Sequence, residues 1–465
     1  MARLRRLPGI SMNRRTRRVV MAWYDDADGT LRARGVLARE RGGVWQLEGV
    51  VPGSCDGASS AWAPGAPPPV LAEAITAARL GISVDGLAEV ARFTGREHAC
   101  ALDGADCVSA TLLRGAVETG GHREAVSRLR LAGPAPQVEA ACAGLGQALD
   151  LLVPRGGIPL VVLSTQSTPI RTSTAPAQAS IGAFLAAVLP SLTWPVLLGM
   201  AALGVEDSAA RVHETRVAVR RLRSVLGVVK RPAACAATEA LRPMLRELAC
   251  RLGAARDWDV FLEGSGARLA ERLGDEADAA RLLAATRRQR AAAYRALHKA
   301  FAGPERGMLE RQLAYVSALR PWEDAAGDQA ALLARDAVAF ASGVLHKRRL
   351  RVRRAGRDFK HLAPEALHAL RKEGKRLRYA AEAFAALFPG AATRRHLKRL
   401  RVLQSALGEM QDAEVARELL TQLGGAGRGY AGGLALGIAE GRGDGLRAEA
   451  HAAWRRFSKA EAFWS

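Results

Sequence analysis

HETRVAVRRLR, residues 213–223, returns as HALRKEGKRLR at residues 368–378. His213 aligns with His368, Arg216 with Arg371, Arg220 with Lys375, Arg221 with Arg376, Leu222 with Leu377 and Arg223 with Arg378, at a constant offset of 155 (368 − 213). The same offset carries LRELACRLGAARD (245–257) onto LRVLQSALGEMQD (400–412), matching Leu248 to Leu403, Leu252 to Leu407, Gly253 to Gly408 and Asp257 to Asp412. One offset held without a gap through two helical stretches predicts two similar helical halves.

The chemistry of the repeat follows from its periodicity. At about 100° per residue, His213, Arg216, Arg220 and Arg223 share an arc of roughly 80° on a helix, with Leu222, Val225, Leu226 and Val229 opposite. His368, Arg371, Lys375 and Arg378 form the equivalent stripe, with Leu370, Leu377 and Phe384 behind it. Each helix thus has an apolar edge for a bundle and a cationic edge. Asp207-Ser208 and Pro364-Glu365 are helix-start signals ahead of the two stripes. Clustered cations repel, which costs stability unless an anion offsets it. Guanidinium forks match phosphate oxygens, and a histidine on the stripe can donate to phosphate. A lone Arg-rich run reads as a solvated face; the recurrence, headed by histidine each time, favours a ligand face.

Composition agrees. The 465 residues carry 68 Lys+Arg against 46 Asp+Glu, a formal charge of +22, and length alone favours more than one domain. Residues 1–200 hold 20 basic and 16 acidic side chains, leaving 48 and 30 beyond, so net charge rises from +4 to +18 across that cut. Such asymmetry predicts a polyanionic partner met mainly by the C-terminal part. Aromatic residues are 5%, and no helix interleaves them with arginines as base stacking requires, so nucleic acid is the weaker candidate. Ser/His/Asp order, metal-spaced carboxylates and a phosphate-binding Gly-rich loop are all missing from these helices, so no catalysis and no cofactor are expected. The acids of RDWD (256–259) sit beside Arg256, and a helix-terminal ion pair is expected for Asp257.

Six scattered cysteines form no C-x-x-C pair, and no apolar run follows the basic N-terminus, so a reduced cytoplasmic protein is expected. The uncharged stretch 172–205 is long enough to span a bilayer, but Pro190 and Pro195 interrupt it and a charged helix follows, which favours a kinked core helix and no membrane. Strand signals lie at 19–26 and 43–50, with weaker ones at Ala99–Leu113 and Ser127–Leu131. PGAPPP (64–69) marks a loop, and 154–178 reads as a short strand plus linker. Beyond it helix formers dominate, punctuated at Pro232, Gly303-Pro304, Pro321 and Pro389-Gly390. The boundary falls near 170–178, giving domains 1–170 and 171–465, the latter with halves of about 176–320 and 330–465.

VHETRVAVRRLR, LRELACRLGAARDWDVF, LHALRKEGKRLRYAAEAF, LQSALGEMQDAEV and WRRFSKAEAFW together resemble the CHAD family, the conserved-histidine α-helical domain, over about residues 176–465. The resemblance implies an all-α fold of two pseudo-twofold-related four-helix halves whose basic helices line a groove. It also implies binding of inorganic polyphosphate, often at polyphosphate granules. Carried over, the phosphate contacts are His213, Arg216, Arg220, Arg221, Arg223, His368, Arg371, Lys375, Arg376 and Arg378. HKRRLRVRR (346–354) adds Lys347, Arg348 and Arg351.

YDDADGTLRARGVLARERGGVWQLE makes residues 15–155 similar to the CYTH family of triphosphate-tunnel enzymes, which implies an α+β domain around an antiparallel β barrel or sheet. The family's N-terminal E-x-E-x-K is absent, since the first acid is Asp25, and Arg128 and Arg130 stand where a Glu-rich strand is expected. Without metal-holding carboxylates a tunnel cannot activate water on a triphosphate, so the resemblance implies a degenerate, inactive domain.

Overall fold

The computed structural model describes residues 10–33, 36–49, 86–102, 107–148, 179–203, 208–274, 276–440 and 443–464. The chain divides into two compact units: Met1–Ser173 with Leu189–Leu198 and Pro304–Pro321, and Thr174–Val188 with Gly199–Gly303 and Trp322–Ser465.

The first unit rests on a six-stranded antiparallel sheet. Its strands are β1 (Ile10–Asp25), β2 (Val36–Arg41), β3 (Val44–Gly49), β4 (Ala88–Leu102), β5 (Ser109–Thr119) and β6 (His122–Ala132), in the order β3-β2-β1-β4-β5-β6. Alternation brings Val19, Met21 and Trp23 of β1 to one face with Phe93, Val117 and Val126 of the neighbouring strands, and all six are buried. The turn after β1 is closed by Asp25, which accepts from the backbone N–H groups of Leu31 at 2.8 Å, Asp26 at 2.9 Å and Arg32 at 3.1 Å, over the short helix α1 (Thr30–Ala33). Helix α2 (Ala135–Ala148) supplies Val138 and Leu145 to a second cluster with Leu102, Ala110 and Leu112.

On the Trp23 side Arg41 pairs with Glu97 at 2.8 Å and Arg39 with Glu48 at 3.5 Å, while Trp23 Nε1 donates to Glu48 at 2.8 Å. Burial holds Arg39 and Arg128 below the ordinary guanidinium range, and Glu48 opposes this in both. Glu48 lies on one edge strand and Arg128 on the other, so the sheet is strongly curled. The strand signals at 19–26 and 43–50 are met by β1 and β3. The stretch Ala99–Leu113 instead straddles the end of β4 and the start of β5. The readings at 64–69 and 154–178 lie outside the described residues.

The helices that follow are α3 (Ile181–Leu203), whose residues belong to both units, α4 (Ala209–Val228), α5 (Ala236–Phe261), α6 (Ala267–Leu273), α7 (Ala277–Ala302), α8 (Pro304–Leu319, in the first unit) and α9 (Gly327–Leu333). They continue as α10 (Ala337–Ala355), α11 (Pro364–Phe384), α12 (Ala391–Gln422), α13 (Gly425–Arg428), α14 (Tyr430–Glu440) and α15 (Gly443–Ser458). Breaks fall at Pro232, Gly303-Pro304, Pro321 and Pro389-Gly390, as the punctuation predicts. By length and composition α3 can cross a membrane, and half of its most apolar window is buried inside the protein.

Within the second unit α4 packs on α5, α10 and α12 on α11, and α4 on α11. Leu222, Val225, Leu226 and Val229 are buried on the first side, Leu370, Leu377 and Phe384 on the second. Each such side chain contributes about 1.5–3 kcal/mol. Phe384 meets Phe184 at 5.1 Å and Phe340 at 6.1 Å between ring centroids. The C-terminal residues clasp α10 and α12: Ser342 Oγ donates to the Trp464 carbonyl at 2.9 Å, and His396 Nδ1 lies 3.3 Å from the Glu461 carbonyl among Phe457, Phe463 and Trp464.

Candidate functional site

The repeat lands on corresponding elements. Helices α11 and α12 start 155 residues beyond α4 and α5 (364 − 209 and 391 − 236). His213 and His368 are therefore each the fifth residue of their helix. Ser208 takes the N-cap of α4 with an extended backbone, and Pro364 sits in the first turn of α11. The two matched glycines have one local role. A Cβ placed on Gly253 would meet Arg216 Nε at 4.0 Å, and one on Gly408 would meet Arg371 Nη2 at 3.8 Å. Each arginine thus rests on the small residue of the following helix.

Because α4 and α11 pack together, their cationic stripes act on each other. Lys375 is pushed down to about 7, by burial first and then by Arg371, Arg220, Arg216 and Arg378. Arg220 is held below the ordinary guanidinium range, again mainly by burial, with Arg216 and Arg378 adding repulsion. Tyr379, itself buried, lies under this group. The Arg220 guanidinium stands 5.4 Å and that of Arg378 4.8 Å from its ring centroid, and Arg378 Nη2 donates to its hydroxyl at 3.0 Å. The ring's negative face steadies two guanidiniums without removing either charge. His213 is mainly exposed, and partial loss of solvent, then Arg256, Arg220 and Arg216, lower its pKa, with Glu214 opposing.

Asp257 of α5 borders the cluster. Burial raises its pKa, Arg216, Arg256 and Arg371 counter this, and Glu418 adds to it. The expected helix-terminal ion pair belongs instead to Asp259, buried and bonded to Arg290 Nε at 2.6 Å and the Tyr294 hydroxyl at 2.9 Å. Two positions along a helix differ by about 200°, which turns Asp259 to the core and Asp257 to the cations.

The other predicted contacts separate from this cluster. Arg221 is exposed and lies 3.8 Å from Glu382, a carboxylate that Arg378 and Arg401 also approach at 3.9 and 3.5 Å. Arg376 pairs with Glu373 on its own helix. Arg348 of α10 is lowered by burial, with Arg351 and Arg376 repelling it and Glu373 opposing the shift, so Arg348 lies near the Arg376–Glu373 pair. Arg223 and Lys347 are exposed. His368 is half-buried and lines a cavity of about 800 Å³ with Lys372, Leu407, Met410, Glu418 and Arg447. The two histidines, though matched in sequence, thus have different surroundings.

Tyr379 and Arg256 were not singled out by spacing. Tyr379 directly follows Arg378 in RLRY, but its counterpart in the first half is Ser224, so the repeat does not mark it.

The family model for the CHAD domain matches residues 200–421. This region is a CHAD domain. Among solved structures the chain is similar to the crystal structure of the CHAD domain from the plant Ricinus communis, at 26% identity, over 62% of this chain and 97% of that one, with a TM-score of 0.51. It is also similar to PptA from Streptomyces chartreusis, at 19% identity over 61% and 99% of the two chains, with a TM-score of 0.45. No curated protein matches. The matched residues of the CHAD domain include both cationic helices, Gly253, Gly408 and Tyr379.

Proposed function

We propose that the CHAD domain binds inorganic polyphosphate, in the cytoplasm and in association with polyphosphate granules, and leaves the chain of phosphates chemically unaltered. The observation that carries this reading is the meeting of Arg216, Arg220, Arg371, Lys375 and Arg378 at one locus, where burial first and then the four arginines push Lys375 down to about 7. A polyanion relieves that repulsion, and guanidiniums held by Tyr379, Gly253 and Gly408 are preorganised to receive it. The constant offset of the helix starts and the glycine beneath each arginine support two pseudo-twofold halves. The group around Glu373 extends the surface along which a long phosphate chain runs.

In this reading the N-terminal unit is a degenerate CYTH-like domain. Glu48 and Glu97, carboxylates on the concave side of its sheet, are held by Arg39, Trp23 and Arg41. The apolar residues buried on α3 support a core helix rather than a membrane anchor.

Phosphate chains of graded length, titrated at several salt concentrations, test the proposal. Orthophosphate and triphosphate bind weakly and long chains tightly, because a second contact on one chain is intramolecular. By analogy with single-stranded nucleic acid, log affinity falls by about 0.7 per phosphate contact for each unit of log salt. Triphosphate binding as tightly as long chains, or duplex DNA displacing polyphosphate at equal phosphate concentration, would overturn it.

A further inference from the structure

Helix α12 carries charge that the repeat does not call for. Over its first turns Arg394, Arg395, Lys398 and Arg399 are exposed, and none of the four makes an ion pair among the described residues. At the offset of 155 the first half has Glu239, Ala240, Pro243 and Met244, so the same arc of the same fold goes from −1 to +4. Charge so placed disfavours the helix. Cations oppose the positive N-terminal end of the macrodipole, and no acidic residue stands in the first turn. Arg394 with Lys398 and Arg395 with Arg399 are also like-charged pairs one turn apart. Helix α5 forms without such residues, so folding does not require them. We propose that this face of α12 binds the phosphate backbone of double-stranded nucleic acid, independently of the cluster between α4 and α11.

The face is firmly held and open. His396, next to Arg395, is buried, with its ring centroid 5.7 Å from that of Phe457, 5.3 Å from Phe463 and 5.2 Å from Trp464. Arg349 of α10 donates to the Ala460 carbonyl, and Ser342 Oγ to that of Trp464 at 2.9 Å. The start of α12 is thus fastened to the end of α15 and to α10, which bring exposed Arg456 and Arg353 to the same end. The aromatic rings here turn in on His396. Stacking groups for a single strand, and apolar side chains to insert into a membrane surface, are therefore withheld from this face. A duplex hides its bases and offers one charge per about 1.7 Å of axis, so the roughly 7.5 Å from Arg394 to Arg399 meets about four of them. On the far side Arg401 lies 3.5 Å from Glu382, which Arg221 and Arg378 also approach, so a carboxylate separates this face from the cluster.

The test uses the full chain, with a short labelled DNA duplex and long-chain polyphosphate titrated separately at several salt concentrations. Arg395→Gln, Lys398→Gln and Arg399→Gln together should weaken duplex binding at least about tenfold and flatten the slope of log affinity against log salt by about 2.7. Removing like charges should leave the unfolding temperature level or raise it. Polyphosphate affinity should not change, whereas Arg371→Ala with Arg378→Ala should weaken polyphosphate binding and spare the duplex.

Duplex affinity and salt slope that survive the triple change would overturn the proposal. So would an equal loss of polyphosphate affinity, which makes the face part of the polyphosphate path, or a lowered unfolding temperature, which makes the charges structural. Vesicles of anionic phospholipid held by these residues more tightly than the duplex, at equal phosphate concentration, would also overturn it. Duplex binding that depends on α12, in a protein that does not bind polyphosphate, sinks the functional reading and keeps this one; polyphosphate binding with a duplex titration indifferent to α12 does the reverse.

Discussion

In the free protein Lys375 stands at about 7 because burial and four arginines oppose its charge. A bound polyphosphate chain reverses that electrostatic term, so binding draws the ammonium back towards its ordinary 10.5. The protonated form therefore binds better, and affinity falls as pH rises above 7. If between half and all of that interval is recovered, affinity for long chains drops roughly 20- to 50-fold between about pH 7 and 9. Internal phosphates of a long chain stay ionised over this range, so the slope belongs to the protein. Titration calorimetry in buffers of different ionisation enthalpy counts the protons taken up: about half of one at pH 7 and nearly one at pH 8. Lys375→Arg, always charged, should bind with little pH dependence in this window. A wild-type affinity that stays level from pH 7 to 9, or an arginine variant with the wild-type slope, would refute the reasoning.

Four further outcomes are expected. Arg216→Ala with Arg220→Ala, or Arg371→Ala with Arg378→Ala, should leave the circular dichroism spectrum unchanged and weaken polyphosphate binding by about 1.5–3 kcal/mol per lost contact, with a shallower salt dependence. Arg221→Ala should cost far less in the same titration, because that side chain already faces Glu382. Purified protein with magnesium or manganese should release no phosphate from triphosphate, ATP or polyphosphate; turnover abolished by changes in the N-terminal sheet would contradict this. His396 is held at about 4, mainly by burial, against an ordinary 6.5. The unfolded chain takes up that proton first, so stability is full above about pH 6.5 and falls by up to about 3 kcal/mol towards pH 4, read by denaturant titrations of wild type and His396→Phe.

Helix positions and the cationic edges were legible because both are local. The repeat at one offset marked α4, α5, α11 and α12, and the apolar edge it assigned is the buried one. What periodicity missed was set by partners far away in the chain. Arg221 lies one residue from Arg220, and the turn of about 100° between them carries it to Glu382, over 160 positions on. Arg348 reads as more of the same positive surface, whereas it lies near Glu373 with Arg376. His368 matched His213 residue for residue, yet it opens on a cavity shaped by α12, α14 and α15. In the sheet, strand identity was readable from Val, Trp and Tyr, while the curl that brings Glu48 towards Arg128 depends on six strands in one order.

The seats of Arg216 and Arg371 have an evolutionary consequence. A glycine inside a helix is less stable than alanine by about 1 kcal/mol, so selection for stability alone would replace Gly253 and Gly408. With 4.0 and 3.8 Å of clearance, a methyl group fits at each and a longer side chain displaces the guanidinium above it. Lineages of this domain can therefore retune one half of the surface at a time through volume, keeping every charge. Where they do so, the basic residues will look intact in the sequence although the grip has gone.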